Sequence, residues 1–89
     1  MTNNEKTLAA FYSCVRFETF TTAPWIQNVE AMGVNPNSIS GSISSLGKQG
    51  YLIKKSWHWT ENNRKEYIWQ INPQKFYQFP WTGDFSWLQ

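Results

Sequence analysis

Residues 35–55 read NPNSISGSISSLGKQGYLIKK. Asn35 is a residue type that caps helices, and Pro36 stands at the first helical position, where its missing N–H costs nothing. Ile39, Ile43 and Leu46 follow at i, i+4 and i+7, which makes one narrow apolar face. On the opposite face lie Asn37, Gly41, Ser44 and Lys48, flanked by Ser38, Ser40 and Ser45. Gly50 is a natural stop, and Tyr51-Leu52-Ile53 opens an extended run that ends in Lys54 and Lys55. The stretch predicts a cap, a short polar-faced helix over 36–49, a glycine turn and the first strand of a hairpin.

Upstream, Thr2 to Asn4 offer capping side chains and Glu5 suits a first helical turn. Leu8, Tyr12, Val15 and Thr19 keep helical spacing, with Phe11 beside them, so a first helix is expected over about 5–18. Phe17 and Phe20 turn toward the core or a partner. Thr21 or Thr22 caps a second helix with Pro24 in its first turn, and Trp25, Ile26, Val29 and Met32 form its buried stripe. Gly33-Val34-Asn35 then makes a tight turn with Val34 buried, which frames a helix-turn-helix over about 22–49.

Downstream, the expected hairpin spans about 51–71, with strands over 51–60 and 65–71 and a turn at Glu61-Asn62-Asn63-Arg64. A loop centred on Asn63 sets Trp59 opposite Tyr67 and Trp57 opposite Trp69. Ile53, Lys55, Trp57 and Trp59 then share a face with Tyr67, Trp69 and Ile71. That aromatic face suits core packing, and its rings are also of the type that stacks unpaired bases. Asn72-Pro73 repeats the cap-plus-proline pattern and opens a short helix through Phe79, which Pro80 ends. The segment 72–89, with Phe76, Phe79, Trp81, Phe85 and Trp87, is expected to pack back on the domain or on a second chain.

Eighty-nine residues make one domain. The net charge of +2 is unevenly placed. Residues 1–35 carry Lys6 and Arg16 against Glu5, Glu18 and Glu30, whereas residues 36–79 carry Lys48, Lys54, Lys55, Arg64, Lys65 and Lys75 against Glu61 and Glu66. Positive charge therefore gathers on the third helix and the hairpin. One cysteine, Cys14, excludes an intramolecular disulfide, and no leader or apolar run of about 20 residues is visible. These features lead to the expectation of a cytoplasmic protein. The single His58 reads as a hairpin surface residue. No zinc pattern, phosphate-binding glycine loop or carboxylate pair stands out, so no enzyme, cofactor or metal is expected.

From about Leu8 to Ile71 the chain resembles the winged helix-turn-helix proteins. The carrying pattern is polar-x-Ile-Ser-x-x-Ile-x-x-Leu over 37–46, followed by Gly50-Tyr51-Leu52-Ile53 and a basic strand. The pattern looks like regulators of the MarR and PadR type. The run Tyr67-Ile68-Trp69-Gln70-Ile71-Asn72-Pro73 with Phe76 is also similar to winged-helix replication initiators of plasmids and phages. The resemblance implies an α+β winged-helix domain of three helices and a two- or three-stranded wing, acting as a small transcriptional regulator on double-stranded DNA. The helix over 36–49 would lie in the major groove and the wing over 60–66 on the backbone or in the minor groove.

Mapped residue by residue, Asn37, Ser38, Ser40, Ser44 and Ser45 would read bases and Gly41 would let the backbone approach. Lys48, Lys54, Lys55, Arg64 and Lys65 would contact phosphate, and Asn62, Asn63 and Arg64 would form the wing tip. The exposed helix face holds no arginine before Lys48, so affinity would depend on the wing and on dimerisation. A homodimer through helix 1, the aromatic tail or both is expected. A second reading takes the same fold as a protein-interaction module, such as a phage or mobile-element adaptor or inhibitor, or a replication accessory protein.

Overall fold

The first helix is the centre of the molecule. In the computed structural model, which describes residues 1–83, α1 (Asn3–Val15) buries Glu5, Thr7, Leu8, Ala9, Ala10, Phe11, Tyr12 and Val15. The Thr2 hydroxyl accepts the Glu5 N–H at 3.1 Å and starts the helix two residues before the expected boundary. Arg16 ends it early, with φ of 54° and its N–H on the Tyr12 carbonyl. Residues 16–18, the end of the expected span, therefore lie beyond it, as does Thr19. Because α1 is wrapped by the rest of the chain, little of it remains to face a partner.

The second helix is shorter than its pattern. A 3-10 turn over Ala23–Trp25 leads into α2 (Ile26–Ala31), and only Val29 of the expected stripe is fully buried. Gly33, at φ +95°, closes α2, and Val34 plugs the core as expected. Asn35 Oδ1 then accepts the Asn37 N–H at 2.9 Å and Pro36 opens α3 (Pro36–Lys48). The buried side of α3 is Ile39, Ser42 and Leu46, while Ile43 is only half-buried. The helix is rolled slightly from the expected face, so a serine enters the core and Ile43 moves to its margin.

The C-terminus of α3 is closed by two paired bonds. Tyr51 N–H reaches the Leu46 carbonyl at 3.0 Å and Gly50 N–H the Gly47 carbonyl at 3.2 Å. Gly50 adopts φ +87°, and Lys75 Nζ donates to the Gln49 carbonyl at 2.6 Å. Closure there aims the chain into β1 (Leu52–Trp59), which pairs antiparallel with β2 (Lys65–Ile71). Phe20 adds a single bridge to the far side of β2, exchanging both backbone bonds with Trp69 at 2.8 Å. The described residues thus form an α+β fold of three α-helices and a two-stranded antiparallel hairpin.

The register corrects the expected one. Trp59 faces Lys65, Trp57 faces Tyr67, Lys54 faces Trp69 and Leu52 faces Ile71. The turn is centred on Asn62, one residue earlier than expected. The Thr60 carbonyl accepts the Asn63 N–H at 2.9 Å and the Thr60 N–H donates to the Arg64 carbonyl, with Asn63 at φ +62°. Moving the centre by one residue shifts each pair by two, so the outer rings keep a common face. A bulge between Lys54 and Ser56 then leaves Lys55 as the extra residue. Below it the faces of β1 exchange, and Leu52 and Lys54 stand where Ile53 and Lys55 were expected.

Asn72 fastens the base of the hairpin. Its N–H donates to the Tyr51 carbonyl and its Nδ2 to the Gly50 carbonyl, and its Oδ1 accepts the Gln74 N–H. The expected short helix is reduced to a 3-10 turn at Phe76–Gln78. Phe76 is fully buried against Tyr12, Phe17 and Trp81, with ring centroids 4.3, 5.6 and 5.3 Å away. Burial opposes ionisation of Tyr12, yet hydrogen bonds with Tyr77 and Arg16 outweigh it and hold this phenol below its ordinary value. The same bond with Tyr12 holds the Tyr77 phenol above its own.

The segment after Pro80 is tied to α1. The buried Glu5 carboxylate accepts Thr82 N–H at 2.8 Å, the Thr82 hydroxyl at 2.9 Å and Gly83 N–H at 3.2 Å. Phe76, Phe79 and Trp81 are thus committed to the chain's own core, as one of the two expected fates required. Phe85 and Trp87 lie outside the described residues. No helix among the described residues is long and apolar enough to cross a membrane.

Candidate functional site

Between α3 and the hairpin the chain leaves an open groove. One part, of about 490 Å³, is lined by Ser44, Lys48, Leu52, Lys54 and Trp69. The adjoining part, of about 430 Å³, is lined by Ser40, Ile43, Ser44, Lys54, Lys65 and Tyr67. One feature of α3 bears on its shape. Gly47 brings the helix against the hairpin, since a Cβ there would stand 3.2 Å from the Trp69 ring. Gly41 faces open space, with nothing within 4 Å of its Cβ position.

Of the residues expected to act, Ser40, Ser44, Lys48, Lys54 and Lys65 meet on this groove. Asn37 is exposed at the start of α3, although its N–H is engaged by the Asn35 cap. Ser38 and Ser45 sit at the flanks, half-buried. Ser45 is drawn toward α1 instead, because its Oγ accepts Asn4 Nδ2 at 2.9 Å as well as Gln49 Nε2 at 3.3 Å. Asn62, Asn63 and Arg64 form the exposed hairpin tip. Lys55 is exposed at the bulge, outside the set that lines the groove.

The hairpin face beside the groove carries an alternation of rings and ammonium groups. Lys54 Nζ lies 5.5 Å from the Trp69 ring centre and 4.1 Å from that of Tyr67. Lys65 Nζ lies 5.4 Å from Tyr67 and 4.5 Å from Trp57. Trp59 completes the series, meeting Trp57 edge to face at 5.4 Å and 87°. Each cation is drawn by the negative face of a ring, worth about 0.5–1 kcal/mol where water still reaches. Held this way, Lys54 and Lys65 lose part of their conformational freedom before any ligand arrives.

The series runs from inside to outside. Trp69 is 7% exposed, Trp57 47% and Trp59 60%. From the sequence these rings were expected in the core. Only Trp69 belongs there fully, because the segment after Asn72 packs on α1 and the base of the hairpin. The alternation was missed because it requires the bulge, which no local pattern announces. On the other face of the hairpin, His58 Nε2 and Glu66 Oε1 pair at 2.6 Å, so the lone histidine has a structural partner at the surface. No group of three or more His, Cys, Asp or Glu side chains gathers among the described residues.

Chemically, the arrangement offers hydroxyls on a helix, fixed cations beside them and exposed rings further out. Hydroxyls both donate and accept, and lysines pair with anionic oxygens. In comparisons with protein families, curated proteins and solved structures, nothing matches this chain.

Proposed function

We propose that the chain is a winged helix-turn-helix domain that binds double-stranded DNA without catalysis and serves in transcriptional control. The observation that carries this is the convergence of Ser40, Ser44 and Lys48 of α3 with Lys54 and Lys65 of the hairpin on one groove-bearing face. In this reading α3 enters the major groove, about 12 Å wide, by its serine face. Gly41 keeps that face low, so the helix axis approaches the base edges closely. Lys48, Lys54, Lys65 and Arg64 meet phosphates on either side, the part of affinity that does not depend on sequence.

A neutral reading helix gains little attraction by itself. Affinity therefore falls to the hairpin cations and is strongly dependent on salt. If Lys48, Lys54, Arg64 and Lys65 each neutralise one phosphate, the plot of log K against log salt has a slope of about −3.6. The deciding experiment is a fluorescence-anisotropy titration of mixed-sequence duplex at low and near-physiological salt. Salt-sensitive binding, with Lys48→Gln and Arg64→Gln each reducing the slope by about 1, supports the reading. No binding at low salt overturns it.

A protein-interaction role is the second reading, favoured by the exposure of Trp57 and Trp59. Under it, Lys48→Gln and Arg64→Gln leave partner binding unchanged, while loss of either tryptophan removes it.

A further inference from the structure

The outer hairpin holds something that duplex binding does not use. Trp57 and Trp59 place two large rings in edge-to-face contact in solvent, outside the buried cluster around Phe76. Isolated exposed apolar residues need no explanation, but here two indoles extend a series already interleaved with Lys54 and Lys65. We infer that Trp59, supported by Trp57, is a stacking platform for unpaired nucleobases, so that the protein engages DNA where a duplex opens into single strand. This rests on the DNA-binding reading above and adds to it the state of the DNA that is preferred.

Three observations point to a base in place of another occupant. First, Trp59 is the last rung of the series, and no cation lies over its ring among the described residues, whereas Trp57 has Lys65 Nζ over one face. The outermost ring is thus open for a flat partner, and every base has a π-face to offer. Second, the surroundings are cationic: Lys54, Lys65, Arg64 and Lys55 lie on the same hairpin against Glu61 and the His58-paired Glu66. A second copy of this chain docking by the same face would bring like charges together, while a polyanion would not. Third, the platform continues directly from the groove, since Lys65 both lines the groove and sits over Trp57. A strand leaving the duplex along this face would keep its phosphates beside lysines and present its bases to the rings.

The experiment uses the whole chain with three fluorescein-labelled probes of one sequence: a fully paired duplex, the same duplex with a central unpaired bubble, and one single strand. Trp59→Ala and Trp59→Phe run beside the wild type, each checked for its fold by circular dichroism. A stacked base is worth at least about fivefold in affinity by alanine substitution. The wild type is expected to bind the bubble at least fivefold more tightly than the paired duplex. Trp59→Ala should lose that preference with its paired-duplex affinity unchanged, and Trp59→Phe should restore most of it. A 2-aminopurine in the bubble should be quenched by the wild type and not by Trp59→Ala.

Equal affinity for bubble and paired duplex overturns the inference and leaves the duplex reading standing. So does a preference that survives Trp59→Ala. Binding to single strand but not to paired duplex, lost in Trp59→Ala, supports the platform and overturns the duplex reading. A concentration-dependent dimer in sedimentation that Trp59→Ala abolishes assigns the rings to self-association and overturns the inference.

Discussion

Around Phe76, rings meet rings and exclude water; along the outer hairpin, rings meet ammonium groups and remain in it. Both regions are rich in aromatic residues in sequence. Phe76 packs with Tyr12 of α1, with Phe17 just beyond that helix and with Trp81 of the closing segment, with centroids as close as 4.3 Å. Trp57, Tyr67 and Trp69 alternate with Lys54 and Lys65, and exposure rises toward the tip. The difference comes from what lies opposite. A helix stands over the Phe76 cluster, whereas the hairpin rings border an open groove. Aromatic content therefore says how much area can be buried, and tertiary placement says how much is.

The comparison can be broken most severely at its buried side. Phe76→Ala should destabilise the fold by about 3–5 kcal/mol in chemical denaturation, because its ring leaves a cavity between α1 and the closing segment. Trp59→Ala, a larger truncation, should change stability by no more than about 0.5 kcal/mol. Similar losses for the two would show that the outer rings are packed in solution. Next comes the tie between the ends. Glu5→Ala removes the acceptor for Thr82 and Gly83 and should cost about 2–3 kcal/mol. Limited proteolysis should then cut near Thr82 first.

Two glycines on α3 sharpen the contrast between its faces. Gly47→Ala pushes a methyl against the Trp69 ring and should destabilise by about 1 kcal/mol, the clash exceeding the gain in helix propensity. Gly41→Ala meets no atom and should stabilise by up to about 1 kcal/mol in thermal unfolding, while weakening binding if that face enters a groove in DNA. Smallest of all, Asn63→Gly relieves the positive φ at the turn and should add about 0.5 kcal/mol, read by the denaturation midpoint.

Whatever was local was legible. Asn35 and Pro36 start α3 where their chemistry says, Gly33 and Gly50 close helices with positive φ, and Val34 is buried in the connection. The three-helix and hairpin order follows from those marks. What depended on distant residues was not legible. Glu5 has the pattern of a first-turn acid, and its role as acceptor for Thr82 joins positions 77 apart. Ser42 entered the core in place of Ile43, and the close approach of α3 to the hairpin brings Gly47 against Trp69, 22 positions away in the chain. For the candidate site, the basic residues were visible as a charge excess, but not their division: Lys54 and Lys65 stack on rings, Lys55 bulges, and Ser45 is occupied by Asn4.

The Lys55 bulge also bears on how this protein behaves when crowded with its own kind. β1 is an outer strand, its far side unpaired among the described residues, and such an edge is a template for strand addition. An extra residue with a lysine side chain twists that edge and charges it. Deleting Lys55 would merge both halves of the hairpin into one register without changing a single pair. The result would be a longer, straighter edge beside exposed tryptophans, and light scattering at rising concentration should show it aggregating where the parent chain stays dispersed.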